Sequence, residues 1–349
     1  MGVTGGAATI GSAPKVSVLM PVFDERPDLL GRAIESVRGQ TWRELELVLA
    51  DDGSEQAETV ELLRHHAAAD DRVKLHRLPH QGITRTLNAG LSLCAGELIC
   101  RHDSDDWSEP QRVAGQVRFL DEHPELAMVG CNAMLHQEDG TVLWPTDLPR
   151  EPAELLRRFP SMNPFCHGAV CLRRSAVERL GGYRAELDCS QDYDLFWRLC
   201  ERFGGANLPD VWYHHRRTAA SISARRSREQ ARVSYLTRRL ARMRAEGGPE
   251  DFPAAAAEAD RWLSAQPAVS LDLGFRADQC LLAGRYRQAL DLCVEAIRAG
   301  PLRPIGYLRV LRALVFVSVP CLRQSLFRGA KDRVMPALAR LGISSGREG

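Results

Sequence analysis

Lysine is nearly missing: Lys15, Lys74 and Lys331 are the only ones among 46 basic side chains, so arginine carries almost all the positive charge. Against 45 acidic side chains the net charge is only +1, which gives a nucleic-acid polyanion no electrostatic hold. The ten cysteines include no Cys-x-x-Cys and no Cys/His cluster at zinc spacing, which argues against a zinc module. Cys94, Cys100, Cys171 and Cys293 sit inside apolar patterns as small core residues, a usage that fits a reducing compartment. The usual phosphate cradles are missing too: no Gly-x-Gly-x-x-Gly follows the first strand and no Gly-Lys-Ser/Thr occurs. Residues 1–14 have neither a basic start nor an apolar core, so they read as a flexible tail rather than a signal peptide. No apolar run is long enough to cross a bilayer. These absences predict a cytoplasmic protein with no nucleic-acid partner.

With 26% charged and 44% apolar residues in 349, the composition is that of an ordinary folded chain, with room for a large domain and an appendage. Short β-branched runs at 16–20 (stopped by Pro21), 45–50, 73–78, 98–100 and 127–131 alternate with helical spacing at 29–37, 59–69, 83–94 and 111–122. That alternation predicts an α/β fold, a mostly parallel sheet with helices on both faces. Three of these strands end in acids: Asp24 and Glu25, then Asp51 and Asp52, then Asp103, Asp105 and Asp106. Ligands bind at such strand ends. Crowded carboxylates repel one another unless a cation sits among them, and hard Mg²⁺ or Mn²⁺ takes one or two carboxylates plus substrate phosphates. Acids cannot hold a diphosphate directly, but they can hold it through a metal and can accept from ribose hydroxyls or a base imide. The bland reading of Asp51-Asp52-Gly53 is a strand-to-turn signal, since Asp-Gly favours turns.

The segments Val16-Ser-Val-Leu-Met-Pro-Val-Phe-Asp24, Leu47-Val-Leu-Ala-Asp-Asp-Gly-Ser54, Gly82-Ile-Thr-Arg-Thr-Leu-Asn-Ala-Gly90, Ala95-Gly-Glu97 and Asp103-Ser-Asp-Asp106, then Ser190-Gln-Asp-Tyr-Asp-Leu195, resemble in this order the family 2 glycosyltransferases of the GT-A fold. The resemblance implies a GT-A (Rossmann-like) domain at 15–225, with a nucleotide-sugar half at 15–132 and an acceptor half at 133–225. It implies inverting, metal-dependent transfer of a sugar from a nucleoside-diphosphate donor, UDP- or dTDP-linked, to a hydroxyl of a carbohydrate or lipid-linked acceptor in surface-polysaccharide or glycoconjugate synthesis. By motif, Pro21, Val22, Phe23 and Glu25 would lie along base and ribose. Asp51 would accept from the base imide with Asp52 beside it, and Arg85 would face ribose or diphosphate. Asp103 and Asp105 would form the metal motif for Mn²⁺ or Mg²⁺, with Ser104 between them.

Such chemistry needs a carboxylate to take the acceptor's proton. The family's base motif aligns with Gln191-Asp192, so Asp192 is the expected base; Asp194 is too close in sequence to share one helix face with it. The competing reading of Asp192 is a helix cap before Leu195. On the acceptor side, Gly181-Gly-Tyr183 matches the family, and His167 either touches acceptor or diphosphate or is a structural histidine. The late stretch 215–223 resembles a Tyr-Arg-x-His-x-x-Ser-x-Ser loop, keeping Arg216 but placing Thr218 at the His, with His214 or His215 as substitutes. A different reading is a transferase-like scaffold without turnover, acting through its C-terminal helices; a nucleotidyltransferase would instead bring a Gly-rich basic loop after the first strand.

From 226 to 349 only helical patterns remain. Val233, Leu236, Leu240 and Met243 mark an amphipathic helix broken by Gly247-Gly-Pro249; 275–299 reads as two helices around Gly284, and 282–290 is similar to one tetratricopeptide hairpin. Within 302–328 an apolar stretch interrupted by Arg309, Arg312, Pro320 and Arg323 reads either as a packed helix or as a peripheral contact with the inner face of a membrane.

Overall fold

Seven consecutive buried residues, Val16–Val22, form β1 at the centre of the sheet. The run has no solvent face because helices cover both sides. The computed structural model describes residues 15–217 and 226–265, with the separate positions 291, 292 and 295. The strands are β1, β2 (Leu45–Asp51), β3 (Val73–Arg77), β4 (Leu98–Arg101), β5 (Trp107–Ser108), β6 (Met128–His136), β7 (Val142–Pro145), β8 (Cys171–Arg173) and β9 (Gly205–Arg216). Their order is β3-β2-β1-β4-β8-β6-β9-β5, with β7 beside β6. The first four strands pair in parallel, as their alternation with α1 (Pro27–Arg38), α2 (Ala57–Ala69) and α3 (Ile83–Leu93) requires. Beyond β4 the sheet is mixed: β8 is antiparallel to both β4 and β6, while β9 runs parallel to β6.

Alternate residues of β1 feed two cores. Val16, Val18, Met20 and Val22 meet Leu30, Ile34 and Val37 of α1 and Val113 and Val117 of α4 (Arg112–Glu122). Leu19 points the other way, with Ile99, toward Leu87 of α3 and Leu195, Phe196 and Leu199 of α7 (Gln191–Phe203). Each such side chain contributes roughly 1.5–3 kcal/mol by leaving water. A buried polar knot sets where β4 begins beside β1. Ser17 Oγ donates to Glu46 Oε1 (2.5 Å) and accepts from the Gly96 N–H (2.8 Å), while the Ala95 N–H donates to the same Glu46 oxygen (2.7 Å). A Cβ at Gly96 would stand 2.5 Å from Ser17 N, so only glycine lets the chain pass here.

Three expectations need correction. β1 runs on to Val22 instead of stopping at Pro21, because pairing with β4 ends at Leu19 and proline is tolerated where one side is unpaired. β6 runs to His136, with Asn132 accommodated at an irregularity by the Pro209 carbonyl and the Thr146 hydroxyl. His215 and Arg216, expected in a loop, close β9 opposite Leu135 and His136.

After α5 (Pro152–Arg158) and α6 (Arg174–Arg179), the described chain past residue 226 is helical: α8 (Ser227–Ala245) and α9 (Phe252–Ser264) form a hairpin. Val233, Leu236 and Leu240 face Ala255 and Ala259 and also enclose Leu187 and Cys189 of the preceding chain. Gly247, at φ +75°, follows α8 where the Gly-Gly-Pro break was expected. The tail at 1–14, Thr218, the stretch 302–328 and most of 275–299 lie outside the described residues. Among the described residues no helix is long and apolar enough to cross a membrane.

Candidate functional site

The carboxyl ends of β1, β2 and β4 open on one edge, and the acidic run leaves β4 directly into it. Asp103 donates its N–H to the Tyr213 hydroxyl oxygen (3.0 Å), and its Oδ1 accepts from Arg101 Nη2 (2.7 Å). Burial alone would raise the Asp103 pKa, but the charges of Arg101, His167, His215 and His102 outweigh it and hold the carboxyl down to about 2. Asp105 is the opposite case. Burial, and then the neighbouring Asp106, Asp103 and Glu25, push its pKa well above the usual carboxylate range. Glu25 is raised by burial as well, against the pull of the Arg26 N–H and of Ser104, whose hydroxyl donates to it (3.3 Å).

Asp106 has a different job. Fully buried, it accepts the Arg216 N–H (2.8 Å) and faces His215 Nδ1 (3.1 Å), tying β9 to the acidic run. Alternation along β9 then sets the roles. Tyr213 and His215 face the acidic run, while His214 lies across the strand, stacked on Trp107 and bonded to Glu109 (2.7 Å). Of the two histidines offered as substitutes at position 218, His215 is therefore the one beside the acids. The Arg216 guanidinium reaches the Glu138 carbonyl (2.7 Å).

Around the first two strand ends the expected residues separate. Phe23 emerges 48% exposed and stacks on His80, ring centroids 4.2 Å apart. Pro21 and Val22 stay buried in β1, and the Val22 carbonyl already accepts the Asp52 N–H (2.8 Å). Asp51 has no exposed surface; its oxygens accept from the Ser54 N–H (2.9 Å) and Arg77 Nε (2.9 Å). Lone pairs remain on both oxygens, but no surface of Asp51 is open to a base imide. Asp52 accepts from the Gln81 and Gly82 N–H groups and from Thr86, pinning the loop that starts α3. Asp24, at φ +43°, accepts the Glu55 and Gln56 N–H groups before α2. Arg85 is exposed on the first turn of α3.

Asp192 sits half-buried in the first turn of α7, where the exposed N–H groups of a helix favour a carboxylate. Its Oδ2 accepts from Asn163 Nδ2 (2.8 Å), and no described residue donates to its other oxygen. Asp194 is its structural counterpart: fully buried, it takes Arg184 Nε on both oxygens (3.1 Å each) and Arg198 Nε (2.8 Å). Gln191 is buried beside them. His167, in a 3₁₀ turn before β8, puts Nε2 at the Tyr183 hydroxyl (3.1 Å). Burial, then Arg101, lowers its pKa while Asp192 and Asp103 raise it, so this ring lies within the fields of both carboxylates.

Sequence reasoning passed over Arg101, Tyr213 and the bond from Asn163. A charged residue closing the apolar run Leu98-Ile-Cys-Arg101 was a signal for the first; nothing local marks Tyr213, which is 110 positions from its partner Asp103. Among the described residues no three His, Cys, Asp or Glu side chains converge to hold a metal. Asp103 and Asp105 nonetheless offer the all-oxygen donors that Mg²⁺ or Mn²⁺ accepts when phosphates complete its shell.

A mixed α/β sheet of this order, with its open edge at the acidic strand ends, is that of the GT-A fold. The Pyrobaculum calidifontis mannosyltransferase PcManGT, solved with GDP-Man and Mn²⁺, superposes with a TM-score of 0.53 at 18% identity, covering 93% of this chain and 88% of that one. Family and activity class follow from sequence. The glycosyl transferase family 2 profile matches residues 17–181. The chain is 35% identical over 220 residues to EpsE of Bacillus subtilis (strain 168), covering 61% of this chain and 77% of EpsE. It is also 30% identical over 215 residues to the amylovoran biosynthesis glycosyltransferase AmsE of Erwinia amylovora, covering 60% and 79%. The chain belongs to glycosyl transferase family 2 and is a glycosyltransferase.

Proposed function

We propose that the protein transfers a sugar, with inversion, from a UDP- or dTDP-linked donor to a hydroxyl of a carbohydrate or lipid-linked acceptor during polysaccharide assembly. Similarity to AmsE, named for amylovoran biosynthesis, supports the pathway class. The division at about residue 225 separates this catalytic unit from the helical region behind it. Work at the inner membrane face suits a lipid-linked acceptor.

One observation carries the mechanism. Asp192 has one oxygen held by Asn163 and the other without a described partner, and the charges of Asp192 and Asp103 both act on His167. The sugar would lie between them, its leaving group toward Asp103. Asp192 takes the acceptor proton on its Oδ1 as the acceptor oxygen bonds to the anomeric carbon, while Asn163 keeps the carboxylate from rotating away. On the other side the bond to the diphosphate oxygen breaks. Asp103 and Asp105 would hold a divalent ion, which would offset the charge on the two phosphates. Arg101 keeps Asp103 ionised for that task, and Glu25 and Ser104 line the donor side. Arg85 would face the ribose or diphosphate, and Arg216 would serve the acceptor side with His167 and Gln191. The exposed face of Phe23 offers the base a stacking surface. Asp51 and Asp52 support recognition by fixing Arg77 and the 80–82 loop.

The experiment is Asp192→Asn, which keeps the shape and removes the base. Thermal shift against UDP-, dTDP- and GDP-sugars with Mn²⁺ identifies the donor, and product release is then followed. Donor affinity is expected to hold while turnover drops about 100-fold or more. Turnover near the wild-type rate would refute the assignment, and a shift only with GDP-sugars would refute the donor base.

A further inference from the structure

The α8–α9 hairpin lies beyond residue 181, where the family match ends, and so does the chain that delivers Asp192. Ser190, two residues before Asp192, adopts φ +50° and ψ +24°. This is a left-handed conformation that non-glycine residues rarely take, and it persists only where its surroundings enforce it. The hairpin encloses the residues that lead into it. Leu187 and Cys189 are buried against Val233, Leu236 and Leu240 of α8 and Ala255 and Ala259 of α9. From the other side, the Leu187 carbonyl accepts from the Thr84 hydroxyl (2.5 Å), so the segment is clasped between the nucleotide half and the hairpin.

A second attachment grips the chain on both sides of Asp192. Arg184 precedes it and bonds Asp194 just after it. The same guanidinium bonds Glu250, in the turn between α8 and α9. Glu250 also takes Arg244 of α8, whose Nε bonds Glu201 of α7 (2.5 Å). The segment is therefore joined to the hairpin by an apolar cluster at 187–189 and by an ion network through Arg184.

We infer that the α8–α9 hairpin is a positioning element for the reaction, a splint that holds the 187–190 turn so that Asp192 meets the acceptor hydroxyl. The inference rests on Asp192 being the base. Neither Leu187 nor Glu250 touches substrate; both act through the placement of Asp192. Displacements of about 1 Å at a reacting group cost on the order of 100-fold in rate, so the signature is a loss in kcat.

The test uses the full chain with Mn²⁺ and the UDP-, dTDP- or GDP-sugar that gives the largest thermal shift, reading release of the nucleoside diphosphate. Leu187→Ala and Glu250→Gln are each expected to lower kcat about 10- to 100-fold per folded molecule, with donor KM and donor affinity by calorimetry unchanged. Glu250→Asp is expected to restore most of the rate. Glu250→Gln, in a solvent-facing turn, carries the test should Leu187→Ala fail to fold. Unchanged kcat in folded variants, or a loss confined to donor KM, overturns the splint. Loss of turnover in Asp192→Asn together with normal kcat in both hairpin variants overturns the splint alone; normal turnover in Asp192→Asn removes the base on which it rests.

Discussion

Replacing Gly168 by alanine adds one methyl group at the point where the two halves of the site meet. Its Cβ would stand 2.0 Å from the Tyr213 hydroxyl oxygen and 2.6 Å from Asp103 Oδ2, against the 3.0 Å below which real Cβ atoms essentially never approach. Tyr213 must therefore move by about 1 Å, and it has nowhere to go. It is fully buried, edge-on to His102 at 5.3 Å, with its hydroxyl on the Asp103 N–H. Nor can the Gly168 backbone retreat freely, because its carbonyl accepts from the buried Arg112 guanidinium (3.0 Å). Overpacking of this kind costs about 1–3 kcal/mol, which in a domain of this size lowers Tm by roughly 4–8 °C at 2 kcal/mol. A shift of that size at Asp103 lowers turnover on the order of 100-fold. Thermal melts and single-turnover rates at saturating donor and Mn²⁺ measure the two effects. Gly31→Ala is the contrast: the added methyl in α1 meets only Leu62 Cδ2 at 3.8 Å, so activity holds and stability rises by up to about 1 kcal/mol. Wild-type turnover and Tm in Gly168→Ala would refute the claim that this glycine holds Asp103 and Tyr213 in register.

Asp194→Asn strips a buried carboxylate from Arg184 and Arg198 and is expected to cost about 3–5 kcal/mol in urea unfolding, with donor affinity per folded molecule unchanged. A loss of donor binding without a loss of stability would move Asp194 into the site. The pH dependence of the hairpin follows from Glu250, which burial would raise but which Arg184 and Arg244 hold below the usual range. Because its folded pKa lies below the unfolded value of about 4.3, its stabilisation is present above that pH and fades as pH falls through the folded value. The stability gap between wild type and Glu250→Gln should thus stay level down to about pH 5 and shrink below it in pH-series melts. A gap that widened on acidification would refute the reading.

Much of this molecule is local, and local features can be read in order along the chain. The short continuous apolar runs and the helices between them announced a parallel sheet, because strands joined by helical crossovers run in the same direction. The acidic strand ends were visible for the same reason: a strand ends where its apolar run ends, and that is where the open edge lies. Helical spacing at Val233, Leu236 and Leu240 likewise marked the apolar face of α8, though not what it would cover.

Tertiary structure decided how each acid is held. The motifs single out Asp103, Asp105 and Asp192, but nothing along the chain shows how tightly each acid is enclosed. Burial and distant partners make the distinction: Arg77 for Asp51, the 80–82 loop for Asp52, β9 for Asp106, and Arg184 for Asp194. Tyr213 reaches Asp103 across the sheet, and β9 chooses His215 over His214 by which face of one strand each occupies. A carboxylate's chemistry depends on what it touches and how much water remains around it, and contacts between residues a hundred positions apart exist only once the sheet has closed. The sequence by itself determined the class of chemistry and the strand ends that could host it; the fold determined which partners each carboxylate has.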